Sequence, residues 1–405
     1  MTSAEFTIPL TLSVVIPAYN EENGIAEIAQ RVLAIAPSLP AAGVSDLELV
    51  VVDDGSRDRT AEVASAIPGV RLIRHPRNRG YGAALKTGFN AAQGELLAFL
   101  DADGTYPPEH FPELCKHVLA GADLVVGSRR SGSDSEMPAV RRLGNFIWSN
   151  LVTLLGGQRV MDPASGMRVF RREILERLYP LPDGLNLTPV MSTRAVHEGV
   201  KVKEVPIPYR ERVGRSKLSV VRDGTRFLSS IVWTVLTYNP VRILGAIGLV
   251  MVGIALLIGL GFVAARLSGV TSIGPWGVAA LYAALVLGVT GVSVFSLGAT
   301  FNYLVSLFLK HPVRQGLFKK PVFKQPIEHS FGWIGGISLL VGLILGLLSM
   351  TLGIGGWEIA RLWLYLLGSA LFILIGVQLM VSWVVMRVLE ELSQREENIQ
   401  KDLGN

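Results

Sequence analysis

The stretch LSVVIPAYNEENGIAEIAQRVLAIA, residues 12–36, runs from an apolar, β-branched segment through an acidic turn into a segment whose apolar side chains recur every three or four positions. An apolar extended run followed at once by an amphipathic helix is the opening unit of a sheet with parallel strands and covering helices. The same alternation continues downstream. LELVVVDDG (47–55), VRLIRH (70–75), ELLAFLDAD (95–103), ADLVVGS (122–128) and VKEVPIPY (202–209) read as strands, and GAALKTGFNAA (82–92) has helical periodicity. Residues 1–217 are therefore expected to form an α/β domain with a mainly parallel sheet, and neither a repeat nor a low-complexity tract interrupts it.

Beyond residue 240 the character changes. Of the 405 residues, 50% are hydrophobic and only 18% charged, and the apolar ones concentrate here. The segments 243–265, 276–309, 331–356 and 362–386 contain no Asp, Glu, Lys or Arg. About 20 helical residues cross a hydrocarbon core ~30 Å thick. An all-α membrane domain, 241–387, is expected, with four transmembrane helices near 241–265, 275–303, 331–354 and 362–387. The alternative, buried helices of a large soluble protein, fits poorly because such stretches exceed the usual globular helix. Residues 388–405 read as a charged cytosolic tail.

The amino-terminal stretch MTSAEFTIPLTLSVVIPAYN has no basic region ahead of an apolar segment, so the first domain is expected in the cytosol. Lys310, Arg314, Lys319, Lys320 and Lys324 lie between the second and third spans, whereas the other two connections carry only Arg266, and Glu358 with Arg361. This asymmetry puts both chain ends and the long middle loop on the cytosolic side of a plasma (inner) membrane. The net charge of +5 is modest and the basic residues sit near the membrane, which favours anionic lipid over nucleic acid as a partner. Cys115 is the single cysteine, which excludes an intrachain disulfide and a cysteine-rich metal site. VRRLGNFIWSNLVTLL (140–155) and LSVVRDGTRFLSSIVWTVLTY (218–238) mix Arg with Trp, Phe and Leu at helical spacing. Helices in the membrane interface suit that mixture, with ordinary helices against the sheet as the alternative. The second of them, 218–240, links the two domains, and the spans that follow offer surfaces for a homo-oligomer.

In an open α/β sheet, ligands collect beyond the carboxyl ends of the strands. Three strands end there in acidic or turn residues: Pro17, Ala18, Tyr19, Asn20, Glu21 and Glu22 after the first, Asp53, Asp54, Gly55 and Ser56 after the second, and Asp101, Ala102, Asp103 and Gly104 after the fourth. Singly, each is a plausible turn or helix cap. Three on one edge ask for a ligand. Asp101 and Asp103, two apart on an extended segment, can aim both carboxylates to one side. Hard oxygen donors at that spacing suit Mg²⁺ or Mn²⁺ bridging to substrate phosphates. Asp53 and Asp54, being adjacent, cannot both face the cleft, so one caps the following turn and the other, preferentially Asp54, meets base or ribose. The segment RNRGYGAALKTG (77–88) places Gly80 and Gly82 before a helix carrying Lys86. It reads either as a nucleotide contact at a helix N-terminus or as a structural turn, and its spacing matches neither a P-loop nor a dinucleotide fingerprint.

Taken in order, SVVIPAYNEE, VVDDGSRDRT, NRGYGAALKTG, FLDADGTYPP, LVVGSRR, DPASGMRVF and VPIPYRERVGRSKL resemble the family 2 glycosyltransferases of GT-A fold, and among them the polyprenyl-phosphate sugar synthases. The resemblance covers roughly residues 11–220. It implies a Rossmann-like GT-A catalytic domain, a nucleotide-sugar donor and a polyprenyl-phosphate lipid acceptor. Pro17, Ala18, Tyr19, Glu21 and Asp54 would then hold the nucleoside, and Asp101 and Asp103 would serve ribose, metal and diphosphate. Arg129 would lie beside the acceptor phosphate with Arg141 and Asn145, which fall one helical turn apart. Arg212 and Lys217 would close over donor diphosphate and acceptor. Two places depart from the family. Thr105 stands where relatives commonly carry a metal-holding Gln, and LNLTPVMSTRAV (185–196) lacks an acidic residue often found there. The QxxRW motif of processive synthases is absent, which argues for a single transfer.

The chemistry this implies is displacement at the anomeric carbon with a nucleoside diphosphate leaving, the cations offsetting its charge. Transfer to a lipid hydroxyl would need a carboxylate base that the sequence does not offer clearly. A non-catalytic scaffold sits badly with intact Asp101, Asp103 and Arg129, and a carrier of lipid-linked sugars with spans almost free of ionisable residues.

Overall fold

The computed structural model describes residues 10–129, 139–156, 158–209, 220–309 and 327–402. Arg212, Lys217 and the basic residues 310–324 lie outside them. The chain divides into two compact units, Met1–Thr234 and Val235–Asn405.

In the first unit, β1 (Thr11–Ala18), β2 (Asp46–Asp53), β3 (Val70–Arg74), β4 (Leu96–Phe99), β5 (Leu124–Ser128), β6 (Arg168–Arg171) and β7 (Val202–Pro206) form one sheet in the order β3-β2-β1-β4-β6-β5-β7. All neighbours are parallel except β6, which runs antiparallel to β4 and β5. The helices are α1 (Ile25–Leu33), α2 (Thr60–Ser65), α3 (Tyr81–Ala91), α4 (Phe111–Leu119), α5 (Ala139–Gly156), α6 (Leu175–Leu178), α7 (Leu187–His197) and α8 (Val220–Tyr238), the last crossing the division between units.

The period of two along each strand sends alternate side chains to opposite faces. Leu12, Val14 and Ile16 of β1, with Leu49 and Val51 of β2, pack on one side with Ile25, Ile28 and Val32 of α1 and with α4. Val15, Val50, Val52, Leu97 and Phe99 pack on the other with Leu85 and Phe89 of α3 and with α7. Both faces are covered, as a parallel sheet requires. The mainly parallel α/β architecture agrees with the sequence reading. β6 does not figure in that reading: RVFR is four residues long with an Arg at each end, and Arg168 is nevertheless fully buried because backbone carbonyls accept its N–H groups.

α5 buries Asn145, Ser149 and Val152, spaced as one helix face, and exposes Leu143, Phe146, Ile147 and Leu154. α8 exposes Leu228 and Trp233.

The second unit contains α9 (Pro240–Leu267), α10 (Pro275–Leu309), α11 (Phe331–Ile354) and α12 (Ile359–Asp402). Each contains a stretch long and apolar enough to cross a membrane, the last being Arg361–Leu392. α9 meets α10 at glycines: a Cβ on Gly248 would lie 2.5 Å from the Gly291 carbonyl oxygen. α11 meets α12 in the same way, where a Cβ on Gly335 would lie 2.9 Å from the Gly376 oxygen, and Ser338 and Ser369 hydroxyls donate across the pair to Phe372 and Gly342 carbonyls at 2.8 Å each. Small residues that let backbones touch are the usual glue between helices in lipid. α12 runs on as helix to Asp402, so most of the charged segment after 387 continues the fourth apolar helix.

Candidate active site

The turns after β1 and β2 leave the sheet side by side, because the two strands are parallel with Ala18 opposite Asp53. They are stitched together reciprocally. The amides of Asn20, Glu21 and Glu22 donate to Ser56 Oγ (2.9 Å), Thr60 Oγ1 (2.8 Å) and Asp58 Oδ2 (3.2 Å). The amides of Arg57 and Arg59 donate back to Asn20 Oδ1 (2.9 Å) and Glu22 Oε2 (3.1 Å). Asn20 adopts a φ of 52°, a left-handed conformation that Asn tolerates better than most residues. Pro17 and Ala18 are buried at the strand end, with Tyr19 and Glu21 half-buried beyond it.

Asp53 Oδ1 accepts the Ser56 amide at 3.0 Å, which closes the turn after β2, and its Oδ2 lies 3.2 Å from Arg74 Nε. Asp54 accepts the amides of Arg79 and Gly80 at 2.8 Å each and meets His75 Nδ1 at 2.7 Å. Asp54 therefore fixes the loop that leads into α3. At the start of that helix, the amides of Gly82 and Ala83 donate to the Asp183 carbonyl at 2.7 and 3.1 Å. Lys86 Nζ donates to the Leu181 carbonyl at 2.8 Å and pairs with Asp183 Oδ1 at 2.6 Å. Gly80 and Gly82 thus serve a turn clamped against loop 181–183, and Lys86 is drawn to that loop.

Asp101 and Asp103 follow β4, half-buried, with Ala102 buried between them. Tyr81 donates its hydroxyl to Asp101 Oδ1 at 2.8 Å. Burial first, and then the Asp101 charge, push the Tyr81 phenol well above its usual range, so it remains a neutral donor. Gly166 lies against the same carboxylate: a Cβ there would sit 2.5 Å from Asp101 Oδ2. Asp103 Oδ1 accepts from the Thr105 hydroxyl at 2.6 Å and the Thr105 amide at 3.2 Å. Thr105, the position that departs from the family, is buried and orients Asp103. Among the described residues no group of three or more His, Cys, Asp or Glu gathers as a metal site. Two carboxylates, each steadied by a neighbouring hydroxyl, nevertheless suit Mg²⁺ or Mn²⁺, which keep waters and take phosphate oxygens for the rest of their shell.

At the end of β5, Arg129 donates from Nε and Nη2 to Asp162 at 2.8 and 2.7 Å and from its amide at 2.9 Å. Asn145 of α5 donates to Asp162 Oδ1 at 2.8 Å. The structure thus brings Arg129 and Asn145 together on a carboxylate that the sequence reading left without a role. Burial alone would raise the Asp162 carboxyl, but the Arg129 charge and the bonds from Arg129 and Asn145 hold it below the usual range. The guanidinium also lies over the rings of Tyr106 (5.9 Å) and Tyr209 (5.5 Å), a stacking that favours the cation. Its side chain keeps 13% of its surface exposed while Asp162 is fully buried. Arg141 lies on α5 one turn before Asn145.

Sequence reasoning missed Tyr81, Tyr106, Asp162 and Gly166. Asp162 and Gly166 sit inside DPASGMRVF, whose position between two expected strands was their signal.

The model of glycosyl transferase family 2 matches residues 13–179, and that of a domain of unknown function, DUF8752, matches residues 240–400. The chain is 34% identical over 221 residues to the dolichyl-phosphate hexose transferase of Haloferax volcanii, covering 55% of this chain and 92% of that protein. It is 29% identical over 329 residues to the undecaprenyl-phosphate 4-deoxy-4-formamido-L-arabinose transferase of Edwardsiella ictaluri, covering 78% of this chain and 96% of that protein. Among solved structures, it is similar to glucosyl-3-phosphoglycerate synthase from Mycobacterium tuberculosis in complex with uridine diphosphate, at a TM-score of 0.46 and 24% identity over 56% of this chain and 80% of that one. The motif-bearing strand ends, the family 2 match and the two lipid-phosphate sugar transferases agree: the chain belongs to the family 2 glycosyltransferases, in the group that contains the polyprenyl-phosphate sugar transferases.

Proposed function

We propose that the protein transfers one sugar from a nucleotide-sugar, of the GDP-mannose or UDP-glucose type, to the phosphate of a polyprenyl-phosphate lipid, with inversion at the anomeric carbon. The observation that carries this reading is the pair of oriented carboxylates, Asp101 and Asp103, in the same unit as the largely buried cation Arg129, with four membrane-length helices following in the chain. The relatives named for dolichyl and undecaprenyl phosphates support the acceptor class.

The nucleoside is assigned to Pro17, Ala18, Tyr19 and Glu21, with Asp53 and Asp54 setting the turns around it. Asp101, Ala102 and Asp103 are assigned to ribose and diphosphate, and a divalent cation held by Asp103 and Asp101 would supply positive charge to the leaving diphosphate. Arg129 is assigned to the acceptor phosphate together with Arg141 and Asn145 from α5, and Arg212 and Lys217 to closure over both substrates. A phosphate monoester is already ionised near neutral pH, its second pKa being about 6. It therefore attacks without a dedicated base, and none is assigned. The exposed apolar faces of α5 and α8 would lie in the headgroup region, with the catalytic unit, the basic residues between the second and third spans and the carboxyl end in the cytosol.

The test is turnover of purified protein with Mn²⁺ or Mg²⁺, nucleotide-sugar and polyprenyl phosphate. Asp103→Ala should lower it by about 10³-fold, the usual scale for a lost group that stabilises transition-state charge. A variant keeping full metal-dependent turnover would remove the metal assignment.

A further inference from the structure

The turn 162–166, Asp-Pro-Ala-Ser-Gly, is irregular backbone held in the interior just before β6, with Asp162, Pro163, Ser165 and Gly166 buried. Buried backbone out of reach of water needs partners within the protein. Here they come from four separate places, and the Ser165 side chain adds a fifth tie. Glu204 of β7 accepts the amides of Met161 and Asp162, the latter at 2.8 Å. Arg168 of β6 donates to the carbonyls of Ser165 (3.1 Å) and Pro163 (2.7 Å), and Ser192 of α7 to Pro163 again (3.0 Å). Ser165 Oγ donates to the Gly127 carbonyl of β5 at 2.5 Å. The hydroxyl of Tyr106 accepts the Gly166 amide at 2.7 Å.

The two ends of this braced turn touch different halves of the site. At one end, Asp162 takes three bonds from Arg129 and one from Asn145. Because Nε and Nη2 are both committed to Asp162, the guanidinium plane is set, and Nη1 has no hydrogen bond among the described residues. At the other end, Gly166 backs the Asp101 carboxylate so closely that any side chain would displace it. Tyr106 joins the two ends, with its hydroxyl on Gly166 and its ring against Arg129.

We propose that the turn 162–166 is a positioning element shared by both halves of the site, in which Asp162 sets Arg129 for the acceptor phosphate and Gly166 sets Asp101 for the donor and its metal. The inference rests on the function proposed above. Neither residue touches a reacting atom, so each acts through the group it holds.

The experiment uses the full chain in lipid nanodiscs with two separate readouts: KM for polyprenyl phosphate against KM for nucleotide-sugar, and Mn²⁺ affinity by electron paramagnetic resonance in the presence of nucleoside diphosphate. Asp162→Asn should raise KM for polyprenyl phosphate about tenfold while nucleotide-sugar KM and Mn²⁺ affinity stay within about twofold. Gly166→Ala should weaken Mn²⁺ about tenfold, the low end for losing a group that orients a metal ligand, with acceptor KM within about twofold. A uniform loss in both variants, or wild-type values in either, overturns the proposal. Should either variant lose nucleoside diphosphate binding altogether, gentler changes decide. Tyr106→Phe, which removes only the hydroxyl on Gly166, should weaken Mn²⁺, and Ser192→Ala, which removes one brace of the turn at the Pro163 carbonyl, should raise acceptor KM. Wild-type values in those two also overturn it. If the unmodified protein forms no glycolipid, the functional reading fails by itself, and the Mn²⁺ measurement still reads Gly166.

Discussion

The two units of the chain use large apolar side chains in opposite ways. In Met1–Thr234, Phe89, Phe99, Phe111 and Phe170 have no exposed surface, and the sheet is sandwiched between two apolar layers. In Val235–Asn405, Leu257, Leu260 and Leu347 are 72%, 64% and 63% exposed, and the closest helix contacts include Gly248, Gly291, Gly335 and Gly376, beside a small buried cluster around Phe331, Leu379 and Met386. Water drives apolar surface together in the first case. Lipid is as apolar as leucine, so in the second only close packing and hydrogen bonds hold helices together. The difference extends to charge. The first unit buries Asp162, Arg168 and most of Arg129 and satisfies them through Asn145 of α5, Thr188 of α7 and the turn 162–166, whereas the four apolar helices keep ionisable groups out of their central stretches.

Four changes would break or sharpen this contrast. Phe170→Ala should cost about 3–5 kcal/mol of stability in the first unit, since the ring packs edge-on to Phe89 at 5.4 Å, and a thermal melt followed through nucleoside diphosphate binding would read it. Gly248→Leu should cost about 1–3 kcal/mol of the second unit by overpacking, because a Cβ there already meets the Gly291 oxygen at 2.5 Å and Phe295 N at 2.8 Å. Denaturation in detergent should show that loss while nucleoside diphosphate affinity holds. Acid should act on the first unit through Asp162. Its carboxyl is held below the usual range, so its contribution is present above the unfolded value of about 3.9 and is lost as pH falls through the lower folded value. In a pH-dependent melt, Arg129→Met should flatten that acid limb, because the lowering depends on the arginine. Leu257→Ala should change stability by less than about 0.5 kcal/mol, as a substitution outside any packed contact does. A cost like that of Phe170 would mean that this face is buried against another helix and would undo the contrast.

Much of the fold was legible because its signals are local. A β-branched run bounded by turn residues marks β1, β2 and β5, and uninterrupted apolar length marks α9 to α12. β6 escaped because what allows Arg168 into the core is the carbonyls of Pro163, Ser165 and Thr188, which no window of sequence around RVFR reveals as partners. The continuation of α12 to Asp402 was read as a tail because its composition turns charged, although a helix does not need to stay apolar once outside lipid. In the site, Asp101 and Asp103 stood out by their place at a strand end. The groups that orient them were only partly visible. Thr105 is two residues from Asp103 and was noticed as a departure, whereas Tyr81 and Gly166 reach Asp101 from 20 and 65 positions away. Arg129 was expected as a cation of the site, and its commitment to Asp162, a contact across 33 residues, was not foreseen.

The most direct measurement is product formation by the purified full chain given Mn²⁺ or Mg²⁺, polyprenyl phosphate and a panel of nucleotide-sugars, with the lipid fraction analysed by mass spectrometry. The expected result is a single-sugar polyprenyl phosphate from at least one donor, lost when the metal is chelated. Binding of nucleotide-sugar without any glycosylated lipid from any donor would contradict the account.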